Sequence, residues 1–320
     1  MSEWVSTFPG YLLLVTRLKR VVVQICRTGP VPLHIGLIMD GNRRFAKNRH
    51  IELKEGHNMG FDSMAAVLEL LYDSGVSCAT VYAFSIENFK RLKTEVDWLM
   101  ELAKSKLMQM SQHGELCDKY GIRVRILGNF SFVRPDVVAV LNDIMHTTRN
   151  NTRAVLNVCF PYTSRDEMTS AVRRVAQAVN EDPLLVADED LLSSFMYTAD
   201  SPPLDLLIRT SGTRRLSDFL LWQCVPSLCT IVFSEKLWPE FSPWDMTEIL
   251  LTWSFNKYWY GHGSGQPVLH AVESRGATWK PDWDELSPVP SNTSTAFKRF
   301  GLSSTLSGDE TLPPATAHSR

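Results

Sequence analysis

The sequence predicts an α/β protein whose single domain has a central, mostly parallel six-stranded sheet with helices on both faces. Two observations predict it: six apolar runs of strand length occur between Pro32 and about Tyr260, and helical patterns separate them. Most of these runs are continuously apolar, as expected for strands that are covered on both faces. Because no linker interrupts the alternation, one domain, residues 31–260, accounts for all of it.

The apolar runs give the predicted strands in chain order: His34–Met39, Thr80–Phe84, Arg123–Leu127, Ala154–Phe160, Leu204–Ile208 and Cys229–Phe233. Apolar residues at helical spacing, with start and stop signals, predict five helices. Gly75 ends the first helix, and Pro135 and Ser242 mark the starts of the third and the last. Capping boxes are predicted at the start of the second helix, from Thr94 and Asp97, and of the fourth, from Ser164 and Glu167. The fourth helix is expected to turn Met168, Ala171, Val172 and Val175 inward.

Composition excludes several classes of protein. The chain has 320 residues, of which 44% are hydrophobic and 21% charged, with a formal net charge of −2. That balance argues against a nucleic-acid binder held by global electrostatics. No apolar run approaches the ~20 residues that span a bilayer. The six cysteines include no C-x-x-C pair, which favours reduced thiols in a cytosolic-facing protein over a disulfide framework or a zinc site.

Both ends of the chain differ in character from the domain. Residues 1–30 form a leader in which the apolar stretch Tyr11–Val15 precedes Arg17, Lys19 and Arg20. We expect it either to lie as an amphipathic helix in a membrane interface or to pack as a helix on the domain surface, and its residues favour neither. Residues 261–320 form a low-complexity tail, which we predict to be disordered because it has too little apolar surface to offset its ordering entropy.

Polar residues follow the predicted strands, and the carboxyl ends of parallel strands share one edge of the sheet. The loops are 40–44, 85–91, 128–129, 161–162 and 209–217. They contribute one carboxylate, Asp40, and several arginines, whose forked guanidinium groups match phosphate oxygens. One or two carboxylates together with substrate phosphates are a usual ligand set for Mg²⁺. The pattern therefore favours a site for a polyanion, in particular a diphosphate, with Mg²⁺ on Asp40.

Each of these residues also has a purely structural interpretation. Asp40 alone is better explained as a helix cap, Arg209 or Arg215 as an ion-paired surface residue, and His57 as a satisfied histidine at a helix start. The combination favours function, because independent caps would not place arginines after three strands. No G-x-x-x-x-G-K-[ST] or G-x-G-x-x-G segment occurs, which disfavours a P-loop or a dinucleotide site.

Three long segments, in order, resemble the signatures of the cis-prenyltransferase family, which contains the undecaprenyl and dehydrodolichyl diphosphate synthases. They are His34–Lys47 with Glu55–His57; Tyr82–Arg91 with Glu95–Val96; and Asp205–Gly212 through Arg215–Gln223 with Leu237–Glu240. The similarity covers roughly residues 30–255. The pair Arg43-Arg44, the run Ser85–Arg91 and the triplet Ser217–Phe219 resemble the eukaryotic dehydrodolichyl diphosphate synthase branch.

The resemblance implies a chemistry and a role for each matched residue. The family condenses isopentenyl diphosphate onto an allylic diphosphate, commonly farnesyl diphosphate, releases pyrophosphate, and houses the growing chain in a hydrophobic tunnel. Asp40 would hold Mg²⁺ and act with Asn88 and Arg91 in catalysis. The residues implied to bind substrate are Gly41, Asn42, Arg43, Arg44 and His57 around the allylic diphosphate, Ser85 and Glu87 in the second signature, Phe45 and Phe89 at the tunnel entrance, and Arg209, Arg215 and Ser217 on isopentenyl diphosphate.

The chain departs from the family pattern in four places. Bacterial members have a histidine where Arg214 stands and a metal-linked glutamate near Leu228, and this chain has neither. Leu53 stands where many members have an arginine, so one phosphate contact is lost or passes to Lys54. After Trp253 the chain lacks the Arg-x-Gly motif that completes a neighbouring active site in homodimeric members. The resemblance therefore implies a heteromer with a Nogo-B-receptor-like subunit that supplies the motif. Since the product is a membrane lipid, it also implies peripheral association with the cytosolic face of the endoplasmic reticulum membrane.

Two other functions stay open at this stage. One is a non-catalytic scaffold or receptor-like subunit of the same fold, and the other is a phospholigand-binding module. A scaffold has no need of a complete diphosphate-binding set, so the presence of that set favours the enzyme. Its members are Asp40, Arg44, Asn88, Arg91, Arg209 and Arg215.

Overall fold

The computed structural model describes residues 9–111, 116–182, 184–225 and 229–261. The first eight residues of the predicted leader and residues 262–320 of the predicted disordered tail lie outside the described residues. Among the described residues, no helix has the length and apolar character needed to cross a membrane.

Six strands form one wholly parallel sheet, which confirms the predicted fold class. They are β1 (His34–Ile38), β2 (Cys78–Tyr82), β3 (Ile122–Leu127), β4 (Ala154–Cys159), β5 (Leu206–Arg209) and β6 (Thr230–Phe233), in the spatial order β3-β4-β2-β1-β5-β6. The chain leaves β1 towards β2 on one side and later returns to place β5 on the other. The crevice beyond the carboxyl ends of β1 and β5 is therefore the point at which an open α/β sheet usually binds its ligand.

Helices cover both faces of the sheet. In chain order they are α1 (Pro9–Cys26), α2 (Asn42–Arg49), α3 (Leu53–Asp73), α4 (Lys93–Ser111), α5 (Leu116–Tyr120), α6 (Pro135–Thr147), α7 (Ser164–Glu181), α8 (Glu189–Ser194), α9 (Leu221–Cys224) and α10 (Pro243–Tyr260), with short 3₁₀ turns at Ile86–Lys90, Phe130–Phe132 and Trp238–Glu240. The predicted starts at Pro135 and Ser242 are confirmed, the latter as a full capping box with Asp245.

The core lies on both sides of the sheet because strand side chains alternate in direction. In β5, Leu206 and Ile208 pack into the larger apolar cluster, whereas Leu207 packs into a second cluster with Phe219 and Leu220 on the opposite face. Burial on both faces explains why the sequences of β1 to β5 are nearly continuous apolar runs, whereas β6 at the edge of the sheet is partly exposed. The rigid sheet fixes the positions of the loops that follow β1 and β5.

Two details predicted for the fourth helix, α7, are wrong. Its N-cap is Thr163, whose hydroxyl accepts the Asp166 N–H, and Ser164 is already the first helical residue. The carboxylate of Glu167 does not complete a capping box, because it is buried and accepts hydrogen bonds from the Tyr162 hydroxyl and the Tyr197 N–H. Val172 was expected to point inward but is 53% exposed.

The described part of the leader is a surface helix. Cys26 at the end of α1 is buried, Val22 and Val23 pack against the core, and Arg27 donates from Nε to the Asp73 carbonyl at 2.7 Å. This is the packing expected if residues 1–30 form a helix on the surface of the domain. Leu18, Val21 and Ile25 remain exposed on the same helix, so insertion into a membrane interface stays a prediction.

Candidate active site

The carboxylate of Asp40 and the guanidinium of Arg209 meet at the crevice between β1 and β5. Arg209 is the last residue of β5, and its Nη2 donates to Asp40 Oδ2 at 2.8 Å. The Arg209 side chain is 4% exposed and that of Asp40 is 38% exposed, so the pair joins a buried cation to a carboxylate that still reaches solvent. The Thr210 hydroxyl accepts the Asp40 N–H at 3.1 Å and donates to the Asp40 carbonyl at 2.8 Å, which fixes the loop.

This ion pair decides the charge state of Asp40. Partial burial raises the pKa of the Asp40 carboxyl, but hydrogen bonds from Arg209 and Ser211 and the charges of Arg209 and Arg44 outweigh it and hold the pKa below its ordinary value. Asp40 is therefore ionised at neutral pH. It does not cap α2, because the N-cap is Gly41 and the Asp40 side chain points to Arg209. The structural interpretation of Asp40 is thus wrong.

A second group of donors surrounds the hydroxyl of Ser217. Arg209 donates from Nη1 to Ser217 Oγ at 2.5 Å and to the Arg215 carbonyl at 2.6 Å. Arg215 donates from Nε to the same hydroxyl at 3.2 Å. The three residues predicted to bind isopentenyl diphosphate therefore form one hydrogen-bonded cluster beside Asp40.

A cavity of about 410 Å³ opens at this edge of the sheet. Its lining residues are Asp40, Arg43, Arg44, Lys47, Thr213 and Arg215, which gives four cations and one carboxylate. Arg44 is oriented by a hydrogen bond of 2.9 Å from Nη2 to the Ser211 carbonyl. Such a lining favours a polyanionic ligand.

Two of these lining residues were not among the predicted site residues. Lys47 lies one helical turn after Arg43 and Arg44 in α2, so helical spacing could have placed it on their face. Thr213 lies in the loop after β5 and gives no such signal, because its position depends on the conformation of that loop.

The turn into α2 suits an anion. Gly41 has a φ of 117°, and a Cβ there would lie 3.0 Å from the Leu237 backbone, so a side chain would be both strained and crowded. The helix starts without a side-chain cap, which leaves first-turn N–H groups available to a negatively charged ligand.

A family model described as "Putative undecaprenyl diphosphate synthase" matches residues 38–261. The chain belongs to this prenyltransferase family. A dehydrodolichyl diphosphate synthase complex subunit of Schizosaccharomyces pombe is 43% identical over 253 residues, 78% of this chain and 96% of that protein. The corresponding human complex subunit is 44% identical over 240 residues, 74% of this chain and 72% of that protein.

Solved structures agree with the family. A lavandulyl diphosphate synthase from Lavandula x intermedia, in complex with dimethylallyl diphosphate, superposes with a TM-score of 0.64 at 27% identity, covering 70% of this chain and 95% of that one. The predictions of the fold, of the family and of a transferase are therefore confirmed, and the remaining predicted residues can be placed in a prenyltransferase.

His57, Asn88 and Arg91 lie in a separate cluster of the prenyltransferase. Arg91 bridges the Asn88 side-chain oxygen at 3.1 Å and the Glu95 carboxylate at 2.9 Å. His57 packs edge-on against Trp98, with ring centroids 5.4 Å apart. Burial, followed by the charge of Arg91, lowers the pKa of His57 to about 4, so its imidazole is neutral at physiological pH. These residues do not line the 410 Å³ cavity.

Five other predicted residues also lie away from the cavity lining. The side-chain oxygen of Asn42 faces Gly60 of α3, and Phe45 is buried. Ser85 caps the 3₁₀ turn that follows β2, and the exposed carboxylate of Glu87 contacts Lys90 and Arg165. Phe89 packs edge-on against Phe84. The structure thus brings together Asp40, Gly41, Arg43, Arg44, Arg209, Arg215 and Ser217, and places the others around them.

The donor set fits a Mg²⁺ ion that shares its ligands with a substrate. Among the described residues, no three His, Cys, Asp or Glu side chains are close enough together to hold a metal by themselves. Asp40 is the single carboxylate in the cavity lining, and it is ionised. One carboxylate is sufficient when phosphate oxygens and water complete an octahedron.

Proposed function

We propose that this chain condenses isopentenyl diphosphate with an allylic diphosphate, farnesyl diphosphate being the expected primer, to make a long-chain polyprenyl diphosphate for dolichol synthesis and protein glycosylation. One observation carries the proposal: the Asp40–Arg209 ion pair lies at the switch point of the sheet beside a cavity lined by four cations. Two diphosphates bring more negative charge than a single phosphate, and the cations and hydroxyls here are numerous enough for both.

The chain's own residues would divide the work between the two substrates. Arg43, Arg44 and Lys47 on α2 hold the allylic diphosphate, whereas Arg209, Arg215 and Ser217 hold isopentenyl diphosphate. The double bond of isopentenyl diphosphate attacks the allylic carbon, the carbon–oxygen bond to the allylic diphosphate breaks, and a proton is lost from the new chain. Fixed guanidinium groups stabilise the negative charge that develops on departing pyrophosphate.

Asp40 would hold Mg²⁺ against phosphate oxygens of the substrate, and the metal would supply further stabilisation of the departing pyrophosphate. Asp40 has an oxygen, Oδ1, beyond the one that accepts from Arg209, and its side chain reaches solvent. The same residue can therefore serve both the metal and the buried arginine.

The assembly and location follow from the same chemistry. Relatives are named as complex subunits, which supports a heteromer, and we propose a Nogo-B-receptor-like partner that supplies an Arg-x-Gly motif. Peripheral binding to the cytosolic face of the endoplasmic reticulum membrane suits a lipid product. The exposed apolar residues of α1 support such binding.

The test is to incubate the chain, with and without a partner, with farnesyl diphosphate, isopentenyl diphosphate and Mg²⁺, and to separate the lipid products by chromatography. Formation of long polyprenyl products by the wild-type chain, and their loss on chelation of Mg²⁺, is the expected result. Binding of both diphosphates without any product would instead indicate a phospholigand-binding module. Absence of binding would indicate a scaffold subunit.

A further inference from the structure

The loop between β5 and α9 holds Ser217 in a backbone conformation that residues other than glycine rarely adopt. Ser217, Asp218 and Leu220 have φ values of 50°, 62° and 47°. Left-handed residues of this kind persist only where the surrounding structure fixes them, and they cluster at functional sites. Contacts outside the loop must therefore maintain its conformation.

The first turn of α7 provides such contacts through Asp218, and the Tyr82 hydroxyl adds one to the Ser217 carbonyl at 3.3 Å. The Asp218 carboxylate accepts the backbone N–H of Arg165 at 3.1 Å on Oδ1 and the Arg165 side-chain Nε–H at 2.7 Å on Oδ2. The Asp218 carbonyl accepts the Ser164 N–H at 2.8 Å. Although Arg165 is 70% exposed, the Asp218 side chain is only 14% exposed, so the carboxylate is enclosed by α7 rather than solvated.

We propose that Arg165 and Asp218 form a clamp that positions Ser217 for isopentenyl diphosphate, a proposal that rests on the proposed function. Neither residue lines the cavity, and Ser217 is joined to the lining residue Arg215 by a hydrogen bond, so Arg165 and Asp218 act through Ser217 and are positioning residues. The clamp fixes the residue directly after Ser217, whose hydroxyl accepts from Arg209 and Arg215. When the clamp is broken, the loop relaxes towards right-handed backbone angles and that hydroxyl moves away from both guanidinium groups.

The clamp should act on one substrate and not on the other. The loop that it holds carries Arg215 and Ser217, whereas Arg43, Arg44 and Lys47 belong to α2, which packs against α3. A purely structural role of Arg165 would weaken both diphosphate sites together. A positioning role weakens the isopentenyl diphosphate site selectively.

The test uses calorimetric titration of the full-length chain with isopentenyl diphosphate alone, which cannot react without an allylic partner. The variants are Arg165→Gln, Asp218→Asn, the double variant, and Arg173→Gln as a control for an exposed arginine on the same helix. We expect each clamp variant to raise the Kd roughly five- to tenfold, and the double variant to be no worse than either single one, because the two residues act as one unit. The control, and the Kd of every variant for farnesyl diphosphate alone, should change less than about twofold.

The variant Asp218→Gly distinguishes the effect of the carboxylate from that of the backbone conformation, because glycine tolerates a positive φ but has no carboxylate. We expect it to weaken isopentenyl diphosphate binding as Asp218→Asn does, and wild-type affinity in this variant would overturn the clamp. Unchanged affinity in Arg165→Gln, or equal losses for both diphosphates, would also overturn it. A wild-type chain that binds isopentenyl diphosphate but makes no lipid even when its partner is present would overturn the proposed function alone.

Discussion

Arg209 places a guanidinium almost completely out of contact with solvent, and a charge in that position needs a carboxylate and further acceptors around it. Asp40, the Ser217 hydroxyl and the Arg215 carbonyl provide them. The sequence could place Asp40 and Arg209 at one edge of the sheet, because each follows an apolar strand. It could not predict that they are bonded, since that depends on β1 and β5 being neighbours.

Replacement of Asp40 tests the centre of the site. We expect Asp40→Asn to lower kcat by at least about a hundredfold, because it removes the charge that would hold Mg²⁺ and that offsets Arg209. The far-ultraviolet circular dichroism spectrum should be unchanged, since the asparagine amide oxygen can still accept from Arg209 and the backbone contacts to Thr210 remain, although the loss of the negative charge should lower the free energy of unfolding. Glu235→Gln, at an exposed carboxylate that pairs with Arg214, serves as the control and should keep full activity. Near wild-type turnover by Asp40→Asn would remove the proposed metal role.

The pH dependence of His57 can be stated with its sign. Burial, followed by the charge of Arg91, lowers the pKa of His57 from 6.5 to about 4 in the folded chain. The neutral imidazole therefore stabilises the fold fully above pH 6.5, and this contribution is lost as the pH falls from 6.5 towards 4, because the unfolded chain binds the proton more readily. His34, which is fully buried and also has a pKa of about 4, acts in the same direction.

Nuclear magnetic resonance of the ring protons should show His57 titrating near pH 4. The midpoint of denaturant unfolding should be lower at pH 5 than at pH 7, and His57→Phe should reduce that difference. A His57 titration midpoint at its ordinary value would contradict the buried, neutral state.

At the scale of elements, the ends of the strands were predictable to within about two residues. A strand that is buried on both faces consists of consecutive apolar residues, and such a run is visible in the sequence. Helix starts were less certain where two capping residues are adjacent. Thr163 and Ser164 can both cap α7, and only the extended backbone of Thr163, with a φ of −144°, decides between them. The three-residue spacing of Ser164 and Glu167 fits a capping box equally well, although Glu167 is in fact buried.

The capping box of α10 gives a stability prediction. Ser242 accepts the Asp245 N–H at 3.4 Å and donates to the Asp245 carboxylate at 2.7 Å. We expect Ser242→Ala to lower the free energy of unfolding by about 1 kcal/mol. Denaturant titration would measure this loss, and Thr252→Ala, an exposed position in the middle of α10, should show none. Equal stability of the Ser242→Ala variant would mean that the box does not stabilise the helix.

At the scale of the whole molecule, the sequence predicted a parallel sheet with its polar loops on one edge. That prediction is enough to locate a site, but it does not show which of the site residues contact one another. The separation of the Asp40 cavity from the cluster of His57, Asn88 and Arg91 could not be predicted. It depends on how α3 and the turn after β2 pack beside β1. Distances between loops are set by such packing, which leaves no local signal in the sequence.

The exposed residues of the molecule bear on its assembly. Strand β6 is at the edge of the sheet, with Thr230 and Ile231 exposed, and α10 exposes Phe255, Tyr258 and Trp259 near its end. A sheet edge and exposed aromatic residues are features of surfaces that meet other molecules. They are consistent with a chain that works as one subunit of a complex.

The proposed dependence on a partner leads to a prediction for activity. We expect the purified chain alone to have weak activity, and co-purification with a partner that carries an Arg-x-Gly motif to raise kcat at least about tenfold, because a further cation and close-approaching backbone would complete the diphosphate site. Product formation from both diphosphates with Mg²⁺ measures this. The matched control is the same partner with its arginine changed to alanine, which should bind the chain equally well in size-exclusion chromatography but restore little activity. If the isolated chain is fully active, or if the altered partner stimulates as well as the original, then the chain completes its own site and the heteromer has another purpose.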